Sequence, residues 1–458
     1  MPPNELPVAI IGGGPVGLAA AAHLIERGEA AILFEAGASV GANVRDWGHV
    51  RMFSPWEFNV DSASVRLLES AGWRMPPADE LPTGLELVER YLQPLAELPA
   101  MRAIIRTGTR VIGLSRRNHD KVKDGERELA PFQLHAVNDG HEELVEARAV
   151  IDASGAWHLP NPLGANGRPA IGEASLRERL IYGIPDILGD ERSRFAGKRV
   201  IVVGSGHSAI NVLLYLMRLR EDHPQTDIIW VMRSRNLRKV YGGGEDDALA
   251  ARGQLGLRIK AAVDAGALRI AAPFPPTHVS LGGDQLLLRS EFNGDAGSLS
   301  ADEIIICAGA RPELELLREM RLDLDPAVEA TRSLAPLIDP NLHSCGTVRP
   351  HGEAELRQPE ADFYIVGMKS YGRAPTFLLA TGYEQARSVV AALCGDWEAA
   401  RDVRLNLPET GVCVSDFADE GACCVPAEVA QPALLALGEI PIVSEIPVDR
   451  ARERVPCC

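Results

Sequence analysis

Apolar positions along this chain follow two periods, and the switch between them is sharpest near the N-terminus. Val8 to Ile11 is a short unbroken apolar run; beyond three glycines the apolar residues spread to helical spacing as far as Glu26. A second short run, Ala31 to Phe34, follows. Runs of this length bounded by turn residues predict buried strands, so the segment reads strand, tight turn, helix, strand. The same succession returns near mid-chain. An apolar run after Lys198 is followed by a helix to about Arg220, and then by a strand over Asp227 to Met232. Between the two units, residues 62–72 and 84–97 read as helical, broken by Met75-Pro76-Pro77 and Pro82. Strands are predicted over Ile104–Leu114, Phe132–Val137 and Leu144–Ala153. After Asp302 comes another apolar strand, and Asp362 opens a strand, a loop and a long helix starting near Thr376. Strands alternating with helices predict an α/β fold with parallel sheets.

Both repeats carry glycines at the turn. In the first, Gly12, Gly14 and Gly17 form G-x-G-x-x-G, with Pro15 opening the helix, and Glu35 stands at the end of the next strand. The first glycine permits the turn, the second admits a pyrophosphate, and the third lets helix and strand pack closely. The carboxylate is placed to bind ribose hydroxyls. In the second, Gly204, Gly206 and Ala209 form G-x-G-x-x-A, followed by His207 and Ser208 within the first turn of the helix. Where the first unit has Glu35, the second has Arg233-Ser234-Arg235, with Arg238 and Lys239 close behind. A basic run after a strand is commonly a solvated edge. Here its position favours a 2′-phosphate, which guanidinium groups bind and an acid would repel, and so selects NADPH. Two strands, ending Val-Ile-Asp-Ala-Ser-Gly155 and Ile-Ile-Ile-Cys-Ala-Gly309, repeat each other in outline and suggest two crossings between domains.

The loop from Ala36 to Trp56 is dense in Arg45, Trp47, His49, Arg51, Phe53 and Trp56. It reads either as a packed surface loop or as the lining of a flat ring system. The triple glycine Gly242-Gly243-Gly244, ahead of Glu245-Asp246-Asp247, is a mobile lid or a plain turn.

Together these motifs resemble the two-dinucleotide-binding-domain flavoproteins, and among them the flavin-containing monooxygenases. The likeness runs from residue 6 to about residue 395. It implies FAD on Gly12, Gly14, Gly17 and Glu35, beside Pro15 at the helix start, with Met52 and Ser54 beside the flavin; where the aromatic loop lines a ring, Trp47 is part of that lining and Arg45 or Arg51 faces phosphate or the flavin edge. It implies NADPH on Gly204, Gly206, Ala209 and Arg233, with His207, Ser208 and Arg235 alongside them, linkers ending at Gly155 and Gly309, and Gly367 before the long helix; the start of that helix near Thr376 faces a cofactor or belongs to an ordinary strand–helix unit. Val111 would meet the adenine through its backbone. The Phe-x-Gly-x-x-x-His element of such enzymes is replaced by residues 172–183. The expected architecture is two Rossmann-like domains, the second inserted in the first: residues 1–157 and 309–400 for FAD, 158–308 for NADPH, and 401–458 as an extension.

Composition narrows the chemistry. A net charge of −16 over 458 residues argues against nucleic acid or an anionic membrane as partner. No apolar run approaches the roughly 20 residues of a membrane span, and the N-terminus has no signal-peptide pattern, so a soluble cytoplasmic protein is expected. Disulfide reductases of similar architecture use C-x-x-C or C-x4-C; this sequence contains neither. Without a dithiol relay, electrons from NADPH leave the flavin directly, and oxygen is the most available acceptor. The expected reaction is oxygen transfer to a soft nucleophile through a flavin C4a-hydroperoxide. An NADPH-dependent reductase serving a protein partner or quinone, and a metal-sensing flavoprotein, are the alternatives. Five of the eight cysteines, Cys413, Cys423, Cys424, Cys457 and Cys458, lie in the extension. Clustered thiols bind soft ions, trivalent arsenic and antimony included. The chain resembles flavin monooxygenases of arsenic and antimony detoxification, which implies Cys413, Cys423 and Cys424 as metalloid ligands. A tail whose thiols have no specific partner is the other reading. No general acid or base stands out.

Overall fold

The computed structural model describes residues 5–235, 237–292, 295–341, 348–375 and 377–405; Thr376 and the extension from residue 406, with its cysteines, lie outside them. The chain begins with β1 (Val8–Ile11), α1 (Pro15–Glu26) and β2 (Ala31–Phe34), then α2 (Ala42–Asp46) and α3 (Ser62–Ser70). Next come β3 (Ile105–Arg106), β4 (Thr109–Arg116), β5 (Phe132–Asn138), β6 (His141–Ala147) and β7 (Ala149–Asp152). The second half of the α/β pattern is β8 (Leu180–Tyr182), β9 (Arg199–Val203), α4 (His207–Asp222), β10 (Asp227–Val231), α5 (Ala250–Asp264) and β11 (Arg269–Ala271). It continues with β12 (Pro276–Gly282), β13 (Gln285–Phe292), β14 (Asp295–Ala301) and β15 (Glu303–Ile306). The last described elements used below are β16 (Phe363–Ile365) and α6 (Leu379–Leu393).

Two five-stranded parallel sheets result, ordered β16-β7-β1-β2-β3 and β11-β10-β9-β15-β8. Every strand of the second lies in sequence between β7 and β16 of the first, so the second Rossmann-like unit is inserted in the first, as expected. Antiparallel β4-β5-β6 and β12-β13-β14 accompany them. β1 is buried at all four positions because both faces of its sheet are covered, which is why its sequence shows no alternation. Helix α1 is buried along Val16–Leu24, and its one polar residue there, His23, is bonded to Asp61 at 2.9 Å.

Two predicted strands divide. The run 104–114 breaks at Gly108, whose φ of +64° turns the chain out of the parallel sheet and into β4. The run 144–153 breaks at Arg148, leaving β6 in the meander and β7 in the parallel sheet. In both cases one apolar pattern serves two sheets, because each strand has a buried face of its own. The long helix expected near Thr376 begins at Leu379.

One buried ionic knot joins the meander to the last strand. Glu360 accepts from Arg116 Nε and Arg127 Nη2, each at 2.8 Å, and all three side chains are at most 3% exposed. Arg116 also donates to the Ala130 and Ala361 carbonyls and lies 3.7 Å over the Phe132 ring. Burial pushes the Glu360 carboxyl up, but bonds from Arg127 and Arg116 outweigh it and hold the group below its ordinary value. Its contribution is therefore present above the ordinary carboxylate value and lost as pH falls through the lower folded one. Glu360→Gln leaves two guanidiniums buried without a counter-charge and is expected to cost about 3–5 kcal/mol in chemical denaturation. Arg318→Ala, which breaks an exposed pair with Glu315, should cost less than about 1 kcal/mol.

Candidate dinucleotide sites and the junction between them

The first glycine turn stands at the C-terminal edge of β1. Gly12 has φ +106°, and a Cβ on it would lie 2.6 Å from the Ala153 carbonyl oxygen just beyond β7. A Cβ on Gly17 would lie 1.9 Å from the Gly12 carbonyl oxygen, so helix and strand touch through backbone. Around Gly14, by contrast, nothing lies within 4 Å. Gly14 caps α1 without a side-chain acceptor and Pro15 occupies the first turn, so no side chain takes up the amides at the helix start, which an anion could use. Glu35 is placed at this turn: its carboxylate accepts from Gly13 N at 2.7 Å and Gly37 N at 2.6 Å. The carboxylate thus braces two loops, and each oxygen keeps a lone pair for a ligand hydroxyl.

The aromatic loop is folded back on this turn. Gly41 N donates to Gly13 O at 2.9 Å, which seats α2 beside the glycines. Arg45 Nε and His49 Nε2 are buried with no hydrogen-bond partner. Buried polar atoms are normally paired, so two orphans within five residues of one loop are what a missing ligand would leave. Trp47 packs against Gly84, where a Cβ would come 2.7 Å from the indole. Met52 is tied by its backbone N–H to Pro82 O at 2.8 Å. Ser54 is turned inward, its hydroxyl donating to Asn59 Oδ1 at 2.9 Å, so its side chain is engaged within the loop. Val111 is buried in the core beside Phe34, and the first residues of β4 bond to the loop after β2: Thr109 N donates to Glu35 O.

The ends of β7 and β16 complete the first site. Gly155 has φ +73° with open space beside it. Gly367, at φ +72°, sits 3.3 Å from Val16 Cγ2 by its missing Cβ and donates to Gln385 Oε1 at 2.7 Å. Sequence reasoning missed the buried pair between them. Lys369 Nζ lies 2.7 Å from Asp152 Oδ2 and 3.1 Å from Ser154 Oγ, with both charged side chains fully buried. Asp152 was visible as an acid ending an apolar strand; nothing in sequence showed that its counter-ion lay on the far side of the inserted domain.

The second turn copies the first. Gly204 has φ +133°, and its Cβ would lie 2.2 Å from the Cys307 carbonyl oxygen beyond β15, while Gly206 has nothing within 4 Å. His207 and Ser208 open α4 with no side-chain cap, and Ala209 is buried against the strand. Arg233 and Arg235 are exposed beyond the end of β10, with Arg235 Nε donating to Ala272 O at 3.1 Å. The triple-glycine segment is packed rather than free. Gly253 and Gly256 of α5 let it press on the Gly244 and Tyr241 carbonyls, where a Cβ would stand at 2.0 and 1.8 Å.

The two sites meet at one junction. The Phe53 and His207 rings lie 5.2 Å apart, and the Arg252 guanidinium lies 6.0 Å from the Phe53 ring centre. Arg252 is held by a buried two-pronged pair with Asp247, at 2.8 Å for each prong. The imidazole of His207 keeps an exposed edge; protein packed around the rest of it, and then the Arg252 charge, hold it below the ordinary histidine value. The described cysteines are not a relay. Cys307 is a single buried thiol bonded to Gly183 O, pushed up to about 12 by burial, and Cys394 lies at the far end of α6. Among the described residues no group of three His, Cys, Asp or Glu side chains is placed to hold a metal ion, and no helix is long and apolar enough to cross a membrane. Cys413, Cys423 and Cys424 lie outside those residues.

Residues 6–357 match the sequence profile described as pyridine nucleotide-disulphide oxidoreductase. No curated protein matches the chain. Among solved structures, the bacillithiol disulfide reductase of Bacillus cereus is similar at 18% identity and TM-score 0.60, covering 85% of this chain and 99% of that one. The FAD-bound cadaverine monooxygenase of Erwinia amylovora gives 13% and 0.58, covering 90% and 99%. A mutant flavin monooxygenase of Stenotrophomonas maltophilia gives 22% and 0.52, covering 85% and 98%. At these identities the likeness is one of fold. The junction makes its own prediction: in an NMR pH titration the His207 imidazole should titrate below the ordinary value of about 6.5. Arg252→Met should move that midpoint upward, since it removes the cation and leaves Asp247, which favours the charged ring.

Proposed function

The chain belongs to the pyridine nucleotide-disulphide oxidoreductase family, and from that premise we propose that it is an FAD-dependent, NADPH-reduced monooxygenase acting on a soft nucleophilic small molecule. On this reading residues 1–157 and 309–400 hold FAD and residues 158–308 hold NADPH. The fit is supported by the open space at Gly14 and Gly206, the uncapped helix starts behind them, and the unpartnered Arg45 Nε and His49 Nε2. FAD when bound accepts hydride from the nicotinamide and passes two electrons to an acceptor, which in a monooxygenase is dioxygen.

The chain's own residues bind and orient. Gly12, Gly14 and Gly17 with α1 receive the FAD phosphates, and Glu35 the ribose. Gly204, Gly206, His207 and Ser208 with α4 receive the NADPH phosphates, and Arg233 and Arg235 the 2′-phosphate. Phe53, His207 and the Arg252–Asp247 pair line the junction, where a bound dinucleotide would cover the exposed edge of His207.

The observation that carries the oxygenase reading is this junction. The second glycine turn opens directly onto the loop that follows the first, at 5.2 Å between Phe53 and His207, and neither described cysteine stands there as a pair. The sequence has no C-x-x-C or C-x4-C, and the described cysteines Cys307 and Cys394 form no dithiol; the adjacent pairs Cys423-Cys424 and Cys457-Cys458 lie outside the described residues. Trivalent arsenic or antimony, captured by Cys413, Cys423 and Cys424, is the substrate proposed for it. The alternative, a reductase passing electrons to a partner or quinone, uses the same binding residues and differs only in the acceptor.

Supplying the NADPH-reduced holoprotein with ¹⁸O₂ and arsenite, a thioether or a primary amine tests the proposal. One labelled oxygen in the product per NADPH is expected. Peroxide as the sole oxygen product with every probe, together with rapid turnover on a quinone, would replace the monooxygenase by the reductase. Arg233→Glu should cut kcat/KM for NADPH by roughly 10- to 100-fold while sparing NADH, since it removes one charge-assisted contact and adds repulsion.

A further inference from the structure

Two guanidinium groups converge where the chain passes between the sheets, and among the described residues neither is paired with a carboxylate. The crossing is tight: Pro160 bridges Ala310, Asn161 N donates to Gly309 O at 2.9 Å, and Arg311 N donates to Leu159 O at 3.0 Å. Arg311 is fixed within it by neutral acceptors. Its Nε donates to Asn161 Oδ1 at 2.9 Å and its Nη2 to Gly167 O at 3.1 Å. Asn161 is itself held, through Nδ2, by the Ala308 carbonyl at 3.0 Å.

Arg373 reaches the same place from the segment between β16 and α6. Gly372, at φ +57°, presses on the Val328 carbonyl, and Arg373 N donates to that oxygen at 2.6 Å, which aims the side chain at the linker. Gly167 marks the meeting point. A Cβ there would stand 3.4 Å from Arg373 Nη2 and 3.7 Å from Arg311 Nη2. Two like charges therefore share the space beside a residue without a side chain. In a chain with 63 acidic and 47 basic residues, half-buried Arg311 and exposed Arg373 meet neutral groups rather than a carboxylate. An anion bound between them would relieve the repulsion, and two guanidinium forks match the oxygens of a carboxylate or a tetrahedral oxyanion.

We propose that Arg311 and Arg373 form a binding site for a small oxyanion, either the oxidised product of the reaction or an anionic group carried by its substrate. Which molecule brings the oxyanion rests on the monooxygenase reading; the site itself is observed without turnover, so the two fail separately. The phosphates of a dinucleotide already have places at Gly206–Ser208 and Arg233.

The test is calorimetry on the FAD-loaded full chain without NADPH, titrated with phosphate, arsenate and acetate at constant ionic strength. Saturable binding is expected, with Kd raised roughly tenfold or more by Arg373→Gln and unchanged by Arg168→Gln. Both side chains are exposed, so neither substitution disturbs a core. Preference for phosphate and arsenate identifies a tetrahedral product; preference for acetate identifies a carboxylate on the substrate. Three results overturn the proposal. They are no saturable binding of any probe, equal weakening by both substitutions, or displacement of the anion by NADPH with Arg373→Gln weakening NADPH by the same factor.

Discussion

The structure depends on one steric arrangement, made twice. In each sheet the carbonyl just beyond a neighbouring strand presses on the first glycine of the turn: Ala153 on Gly12, Cys307 on Gly204. Both glycines have positive φ, and only a residue without Cβ can hold that conformation at that distance. Two residues further on, Gly155 and Gly309, again at positive φ, lead the chain out of its sheet. The turn proposed to receive a dinucleotide and the crossing that joins the domains are thus one backbone packing problem. A change at either glycine acts on the turn and on the domain linkage together.

Buried polar contacts then fix what the glycines allow. Lys369 reaches Asp152 and Ser154 from the far end of the chain and clamps β7 to the segment after β16, closing the first domain around the inserted one. Asn161 and Arg311 bind the two linkers to each other where they cross. The Glu360 knot anchors the meander to the last strand. The Lys369–Asp152 pair and the Glu360 knot are taken out of water, a cost offset by their mutual charge and hydrogen bonds, although Arg127 Nε in the knot is left without a partner.

At the junction the packing has an electrical consequence. Asp247 orients Arg252, Arg252 stands near Phe53, and protein packed around His207, and then the Arg252 charge, keep the ring neutral over more of the pH range. A neutral ring at the start of α4 leaves the amides behind it as the proposed anion site. The sequence placed His207 at the second dinucleotide turn but did not show its protonation. Its state is decided by side chains from two other segments.

The sequence by itself determined the two strand–turn–helix–strand units, their glycines, Glu35 and the basic run at Arg233, because these depend on period, turn chemistry and residues within one supersecondary unit. It also placed the insertion of one unit in the other, since the repeated strands ending at Gly155 and Gly309 are visible as patterns. It left undecided where a single apolar run serves two sheets, as at Gly108 and Arg148, because burial on different faces leaves the same mark in sequence. The partners of Glu35 and Ser54, the Lys369–Asp152 pair, the orphaned Arg45 and His49 atoms and the meeting of Arg311 with Arg373 were decided only by the tertiary structure. The ion pair and the two arginines join residues far apart in the chain, and Glu35, Ser54, Arg45 and His49 depend on how a loop folds back upon itself. A hydrogen bond over such a path has no period and no spacing rule; it exists only once the sheets have brought its ends together.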